Sequence, residues 1–253
     1  MTFALTAVKI EEAMKESGCL VCRMARQTAA RAVDSFLWEH VNDAEVRQNI
    51  IEAYGFCPEH TLRLVASEMA NSGLVLGVNI IYEQLGRVVS RDLRNVMPAK
   101  KLGGSLQKRL PRLGILLRQR RGTVLPPKRR CPVCELVEQA NSNVLAALFT
   151  ELEDPQNSLR NAYQQSDGLC LVHLRSGLEE FAGEHPEAGR FLIQDTVDRL
   201  EKQSQRMREY IRKSNWEYRD EILTVKESNA WRQTLTFFTG YPESKFTFHV
   251  KDE

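Results

Sequence analysis

All six cysteines and two of the five histidines of the 253-residue chain stand in two sets with the same grammar. The first is Cys19, Cys22, Cys57 and His60; the second is Cys131, Cys134, Cys170 and His173. Each reads CxxC, then 34 or 35 residues, then CxxH, and the sets are offset by 112 and 113 residues. Thiolate and neutral imidazole are the ligands of closed tetrahedral metal sites, most often zinc. The spacing therefore predicts one zinc per set, two per chain. Four protein ligands per ion leave no position for water or substrate, which marks the sites as structural.

A single CxxC has other uses: a redox pair, a disulfide, or two buried cysteines acting as small hydrophobes. Repetition in the same order at nearly equal offsets points instead to an internally duplicated, metal-binding chain. Attachment of c-type haem would need CxxCH, but Arg23 and Glu135 follow the two pairs. A thioredoxin-like site would need surrounding strands, and no strand pattern flanks either pair. An iron–sulfur cluster on the same cysteines and histidines stays open as the alternative cofactor, with a redox-sensing role for the thiolates.

The elements that must position these ligands read as helices. Ala13, Met14, Val21, Met24, Ala25, Ala32, Val33, Phe36 and Leu37 recur at helical intervals, so the first CxxC opens a helix running to about Trp38. Asn42 and Asp43 offer caps for a short helix to about Tyr54, and Gly55 suits its left-handed end. Cys57-Pro58-Glu59-His60 then opens the next helix, with proline where a first turn tolerates it. The second half repeats this order: Cys131 to about Leu152, a break at Asp154-Pro155, a short helix ending near Gly168, and a helix opened by Cys170 to His173. On this reading each metal ties the start of a long helix to the start of the third helix of the same half, closing a loop of about 35 residues.

The segments GCLVC with GFCPEH, and RRCPVC with GLCLVH, resemble an uncharacterised bacterial family of helical proteins, a domain of unknown function with paired CxxC and CxxH elements. The resemblance runs from Gly18 to Trp231 and takes in Glu39 with Asn42-Asp43 and Glu151 with Asp154. It implies metal ligation at the eight matched positions and no known activity. Glu39 and Glu151 each follow a CxxC by 17 residues. Along a continuous helix that is about 25 Å, too far to reach the metal, so both read as solvated or capping acids. His40, His185 and His249 have no partner at ligand spacing. Gly73, Gly77 and Gly86 fall in a helical stretch and form no phosphate-binding loop. Catalytic residues: none are expected, and an enzyme is the less favoured class.

A basic connector separates the sets. Residues 94–130 hold twelve Lys and Arg and no acid, so a chain of net charge +2 is a +12 connector on a −10 remainder. Pro98, Gly103-Gly104, Pro111, Gly114, Gly122 and Pro126-Pro127 punctuate it as a linker. Lys100, Lys101, Lys108, Arg109, Arg112, Arg118, Arg120, Arg121, Lys128, Arg129 and Arg130 are the candidates for contacting nucleic acid or another anionic partner, whether an acidic protein or a membrane surface. Folding back onto the acidic remainder is the competing use of that charge.

The C-terminal third predicts a charged helix from Asp195 to about Ile222 and a last helix from about Ser228 to Phe238, closed by Gly240. Trp216, Trp231 and Phe237 are expected in the core. The alternation of Phe246, Phe248 and Val250 suggests an added strand or arm. No apolar stretch approaches a membrane span and the N-terminus does not read as a signal peptide, so the protein is expected in the cytoplasm.

The expected architecture is all-α and internally duplicated, with two Cys3His metal sites, one per repeat. Residues 1–93 form the first metal-binding repeat, 94–130 the connector, 131–240 the second repeat with its long C-terminal helices, and 241–253 a tail. The expected function is that of a zinc-binding, non-enzymatic adaptor or regulatory protein with a basic interaction segment.

Overall fold

The computed structural model describes residues 2–96, 126–218 and 220–246. Ten α-helices account for most of them: α1 Thr2–Met14, α2 Leu20–Trp38, α3 Ala44–Glu52, α4 Pro58–Ser72, α5 Leu76–Val96, α6 Pro132–Glu153, α7 Leu159–Gln165, α8 Leu171–Phe181, α9 Pro186–Lys213 and α10 Val225–Thr239. Two short 3-10 turns, Trp216–Tyr218 and Glu243–Phe246, complete the regular structure, and no strand occurs among the described residues.

Local sequence sets most helix ends. The Asp43 carboxylate accepts the Val46 N–H at the start of α3. Pro58 and Pro186 occupy the first turns of α4 and α9, where a missing N–H costs no hydrogen bond. Thr224 and Glu227 form a reciprocal capping box at α10. At α5 the cap comes from a distance: the buried Glu68 carboxylate of α4 accepts the Gly77 and Val78 N–H groups.

The chain divides into two compact units, Met1–Thr28 with Val137–Glu253, and Ala29–Leu136. Helix α2 begins in the first and ends in the second, whereas α6 begins in the second and ends in the first. The first unit has a continuous apolar core in which Ile10, Met14, Leu20 and Val21 meet Leu145, Leu148, Phe149 and Leu152 of α6, Tyr163 of α7, Leu174 of α8 and Leu192 of α9. Phe149 lies against Gly177 of α8, where an added Cβ would stand 2.6 Å from the ring, so a larger residue there would push α6 and α8 apart. The α9–α10 hairpin is held by the ion pair of Lys213 with Glu227 at 2.9 Å, both side chains nearly buried. In the second unit Ala29, Val33, Phe36 and Leu37 of α2 are buried, as are Ile50, Leu64, Ile81 and Leu85. Phe36 meets Phe56 edge to face at 5.4 Å, which brings the end of α2 to the approach of Cys57.

Several expectations shift. The helix expected over Asp195–Ile222 is α9, which starts at Pro186 because proline is at home in a first turn, and ends at Lys213. The last helix begins three residues earlier than expected, at the Thr224 capping box, and Gly240 closes it in the left-handed conformation. Gly73 is not inside a helix but ends α4 with φ 66°. Trp216, expected in the core, is 73 % exposed on the turn after α9, while Phe237 packs against the core of the first unit. Phe246 ends a 3-10 turn, and the rest of the expected arm, 247–253, lies outside the described residues. Of the connector, 94–96 belong to α5, 126–130 are described, and 97–125 lie outside.

Candidate metal centres

Each of the four motifs sits on a helix start in the same way. Cys19, Cys57, Cys131 and Cys170 stand immediately before α2, α4, α6 and α8, and their carbonyls accept the first helical bonds, from Arg23, Thr61, Glu135 and Leu174 respectively. Cys22, His60, Cys134 and His173 are the third residues of those helices. A cap position and the third helical position lie on one side of the first turn, so both side chains project to a common point. Gly55 and Gly168, each two residues before a cap cysteine, have φ 99° and 73° and turn the chain into the CxxH helices.

These helix starts meet in pairs, and the pairing differs from the expected one. Cys19 and Cys22 converge with Cys170 and His173, and Cys57 and His60 with Cys131 and Cys134. The expectation of one Cys3His set per repeat is thereby corrected: each cluster takes its CxxC from one half of the sequence and its CxxH from the other. Helix length gives the physical reason. At 1.5 Å per residue α2 carries the chain about 24 Å from Cys22 to its end at Trp38, and α6 about 28 Å from Cys134 to its end at Glu153. The helices that follow, α3 and α7, have nine and seven residues and span only about 13 and 10 Å. Phe56, next to Cys57, meets Phe36 near the end of α2, and His173 lies beside Asn141, seven residues and about 10 Å along α6 from Cys134, so neither CxxH reaches the CxxC of its own half.

The ligand atoms of each cluster all lie within 4.8 Å of one another. In the first cluster, His173 Nδ1 stands 3.6, 3.3 and 3.3 Å from the Sγ atoms of Cys19, Cys22 and Cys170, and Cys22 and Cys170 are 3.7 Å apart. In the second, His60 Nδ1 stands 3.1, 3.6 and 3.4 Å from Cys57, Cys131 and Cys134, and Cys57 and Cys134 are 3.7 Å apart. A tetrahedral ion with metal–sulfur bonds of about 2.3 Å and metal–nitrogen bonds of about 2.0 Å separates its sulfurs by about 3.8 Å and sulfur from nitrogen by about 3.5 Å. The clusters have those edges. A disulfide would need sulfurs about 2.0 Å apart, and all six cysteines are free.

Electrostatics favour a cation. Hydrogen bonding to Cys170 and Cys19, reinforced by burial, holds the Cys22 thiol far above its ordinary range, while hydrogen bonds from Cys19 and Cys22 hold Cys170 well below it. Burial works to lower the pKa of His173, but its hydrogen bonds to Cys170 and Cys19 prevail and raise it to about 9. In the second cluster burial, then the bond to Cys57, pushes Cys134 up to about 12, and burial lowers His60. Three sulfurs this close cannot all carry unit charge unaided. A divalent ion relieves the repulsion and displaces the remaining protons.

Surrounding residues close the first cluster. Gly18, just before Cys19, donates its N–H to the Asp167 carboxylate at 2.6 Å, joining the approaches to Cys19 and Cys170. The buried Tyr163 hydroxyl accepts the Leu169 N–H. Gly240 lays bare backbone on the sulfurs: an added Cβ would overlap Cys22 Sγ and stand 3.4 Å from Cys170 Sγ. Asn141 of α6 lies beside the outer nitrogen of His173. Sequence reasoning read Gly240 only as a helix stop and passed over Asn141, since neither stands at ligand spacing.

The other candidate residues lie elsewhere. Glu39 accepts from Ser35, and Glu151 from Asn157, as capping or solvated acids do. His40 pairs at 3.7 Å with Glu39, and His185 precedes α9. Lys100, Lys101, Lys108, Arg109, Arg112, Arg118, Arg120 and Arg121 lie outside the described residues. The backbone N–H groups of Lys128 and Arg129 donate to the Glu52 carbonyl, and the Arg129 guanidinium binds Asn49 and the Glu135 carboxylate. Arg129 thus spends its charge on its own unit.

The fold and the clusters define a class: an all-helical protein with two Cys/His groups, each able to hold a metal ion. The chain belongs to a family of unknown function, DUF6062, which it matches over residues 1–244. It is 24 % identical over 231 residues to an uncharacterized 23.9 kDa protein in the xynA 3′ region of Caldicellulosiruptor sp. (strain Rt8B.4), covering 90 % of this chain and 98 % of that one. No solved structure matches it.

The close approach at Gly240 is directly testable. Gly240→Ala adds a Cβ at a left-handed position, about 1 kcal/mol by itself, and drives it into Cys22 Sγ. Metal analysis of the purified variant is expected to show one of two metal equivalents lost; full retention would mean that Gly240 does not close the cluster.

Proposed function

We propose that this is a zinc protein whose two Cys3His groups are structural clasps, and that it acts as a non-enzymatic adaptor or regulatory protein in the cytoplasm. The observation that carries the reading is the saturation of both clusters: three thiols and an imidazole at the corners of a single tetrahedron, with no fifth Cys, His, Asp or Glu in either group among the described residues. An iron–sulfur cluster spreads its ligands over more than one iron, so its terminal sulfurs stand wider apart than these, which favours single ions. The duplicated spacing of the motifs supports descent from a repeat whose two copies exchanged their CxxH helices. No helix among the described residues is long and apolar enough to cross a membrane.

Elemental analysis of the full chain, expressed without added metal, tests the clasp. The expected result is about two zinc and negligible iron per chain; iron with acid-labile sulfide would replace the reading by its redox alternative.

The basic run 94–130 favours a nucleic-acid partner as the way such an adaptor is recruited, since twelve positive charges without an acid suit a phosphate backbone. Arg129 is committed to Glu135, which leaves Lys100 to Arg121 to supply most of that contact. Binding to a duplex oligonucleotide is expected to fall steeply between about 50 and 200 mM salt and to vanish when these lysines and arginines are replaced by glutamine. Binding that survives the replacement rejects the role.

A further inference from the structure

We propose that Asn141 positions His173 for metal ligation, and that it does so through its amide carbonyl. The proposal rests on the metal reading of the first cluster and adds to it a residue that sits at no ligand spacing.

His173 presents Nδ1 to the three sulfurs, at 3.3 to 3.6 Å, so Nδ1 is the nitrogen available to an ion. Its other nitrogen, Nε2, faces the Asn141 side chain, with Nδ2 at 3.3 Å. The Asn141 carbonyl oxygen, Oδ1, is buried and has no hydrogen-bond partner among the described residues. A neutral imidazole has one ring proton. With the amide nitrogen toward the ring, Nε2 must accept and the proton must sit on Nδ1, among the sulfurs. Once Nδ1 ligates an ion, the proton moves to Nε2, which becomes a donor, and an amide NH2 opposite it would set donor against donor.

A half-turn of the amide about its Cβ–Cγ bond removes the conflict. It brings the orphaned carbonyl oxygen to Nε2–H, at the same distance and without moving the backbone of α6. The ring is then held in the ligating tautomer and orientation by an acceptor on its far side, the arrangement that ligand histidines generally require. With the oxygen toward the ring, the buried Oδ1 gains the donor it lacks.

The test uses the full chain loaded with two equivalents of zinc, alongside Asn141→Leu, which keeps the volume, and Asn141→Asp, which keeps an acceptor. Competition against a chromophoric chelator is expected to show one zinc of Asn141→Leu weakened by about 10- to 100-fold, the other unchanged, and Asn141→Asp close to wild type. Long-range proton–nitrogen correlation spectra are expected to show a slowly exchanging Nε2–H on one histidine of the wild type and of Asn141→Asp, lost in Asn141→Leu. Equal zinc affinity in all three proteins overturns the proposal while leaving the zinc sites intact, as does equal weakening in Leu and Asp, which would indicate packing alone. A wild-type chain that retains no zinc overturns this proposal and the metal reading together.

Discussion

The first turn of a helix fixes the direction of two side chains at once, one at the cap and one three residues on, and this chain uses that constraint four times. At each of α2, α4, α6 and α8 the cap cysteine gives its carbonyl to the helix and its sulfur to the cluster. The exposed N–H groups of a helix start carry partial positive charge, which favours thiolate over thiol at these positions. Two helix starts facing each other supply a full tetrahedral ligand set without any long loop having to be shaped around it. Most of the surrounding architecture serves that meeting: the left-handed glycines before Cys57 and Cys170, Gly18 held to Asp167, and Gly240 laid on the sulfurs.

Which starts meet decides the topology. Joining Cys22 to Cys170 spans 148 positions and joining His60 to Cys131 spans 71, against about 35 for closure within each half. Loop-closure entropy grows only with the logarithm of length, about 0.6 kcal/mol per doubling, so the exchange costs about 1 kcal/mol for the wider loop and less for the other. A structural zinc site contributes an apparent 10 to 16 kcal/mol, roughly, at neutral pH. The loop cost is small beside that, so closeness along the chain does not decide which helix starts meet. Because α2 starts in one unit and ends in the other, and α6 does the reverse, each unit is completed by chain from both halves of the sequence.

All eight cluster residues were legible as candidate ligands, because Cys and His at helical spacing and in duplicate have few other uses. Their partners were not. Both pairings satisfy the same Cys3His grammar, and no local spacing separates them. Helix starts with a strong local signal, Asp43, Pro58 and the cysteine caps, were placed closely, whereas the start of α9 was missed although Pro186 marks it and Ala188, Gly189 and Leu192 form its buried face. Gly240 and Asn141 act through contacts more than a hundred residues away and thirty-two residues away, which no local pattern encodes. Trp216 misled in the opposite sense: hydrophobic type suggested burial, but the turn after α9 presents it to solvent.

The exchanged pairing is tested most directly by metal stoichiometry in two double variants. Cys22→Ser with Cys170→Ser damages one cluster twice, and Cys22→Ser with Cys57→Ser damages both clusters once. The first protein is predicted to keep one metal ion per chain and the second to keep none. One ion in the second and none in the first would contradict the account and restore closure within each half.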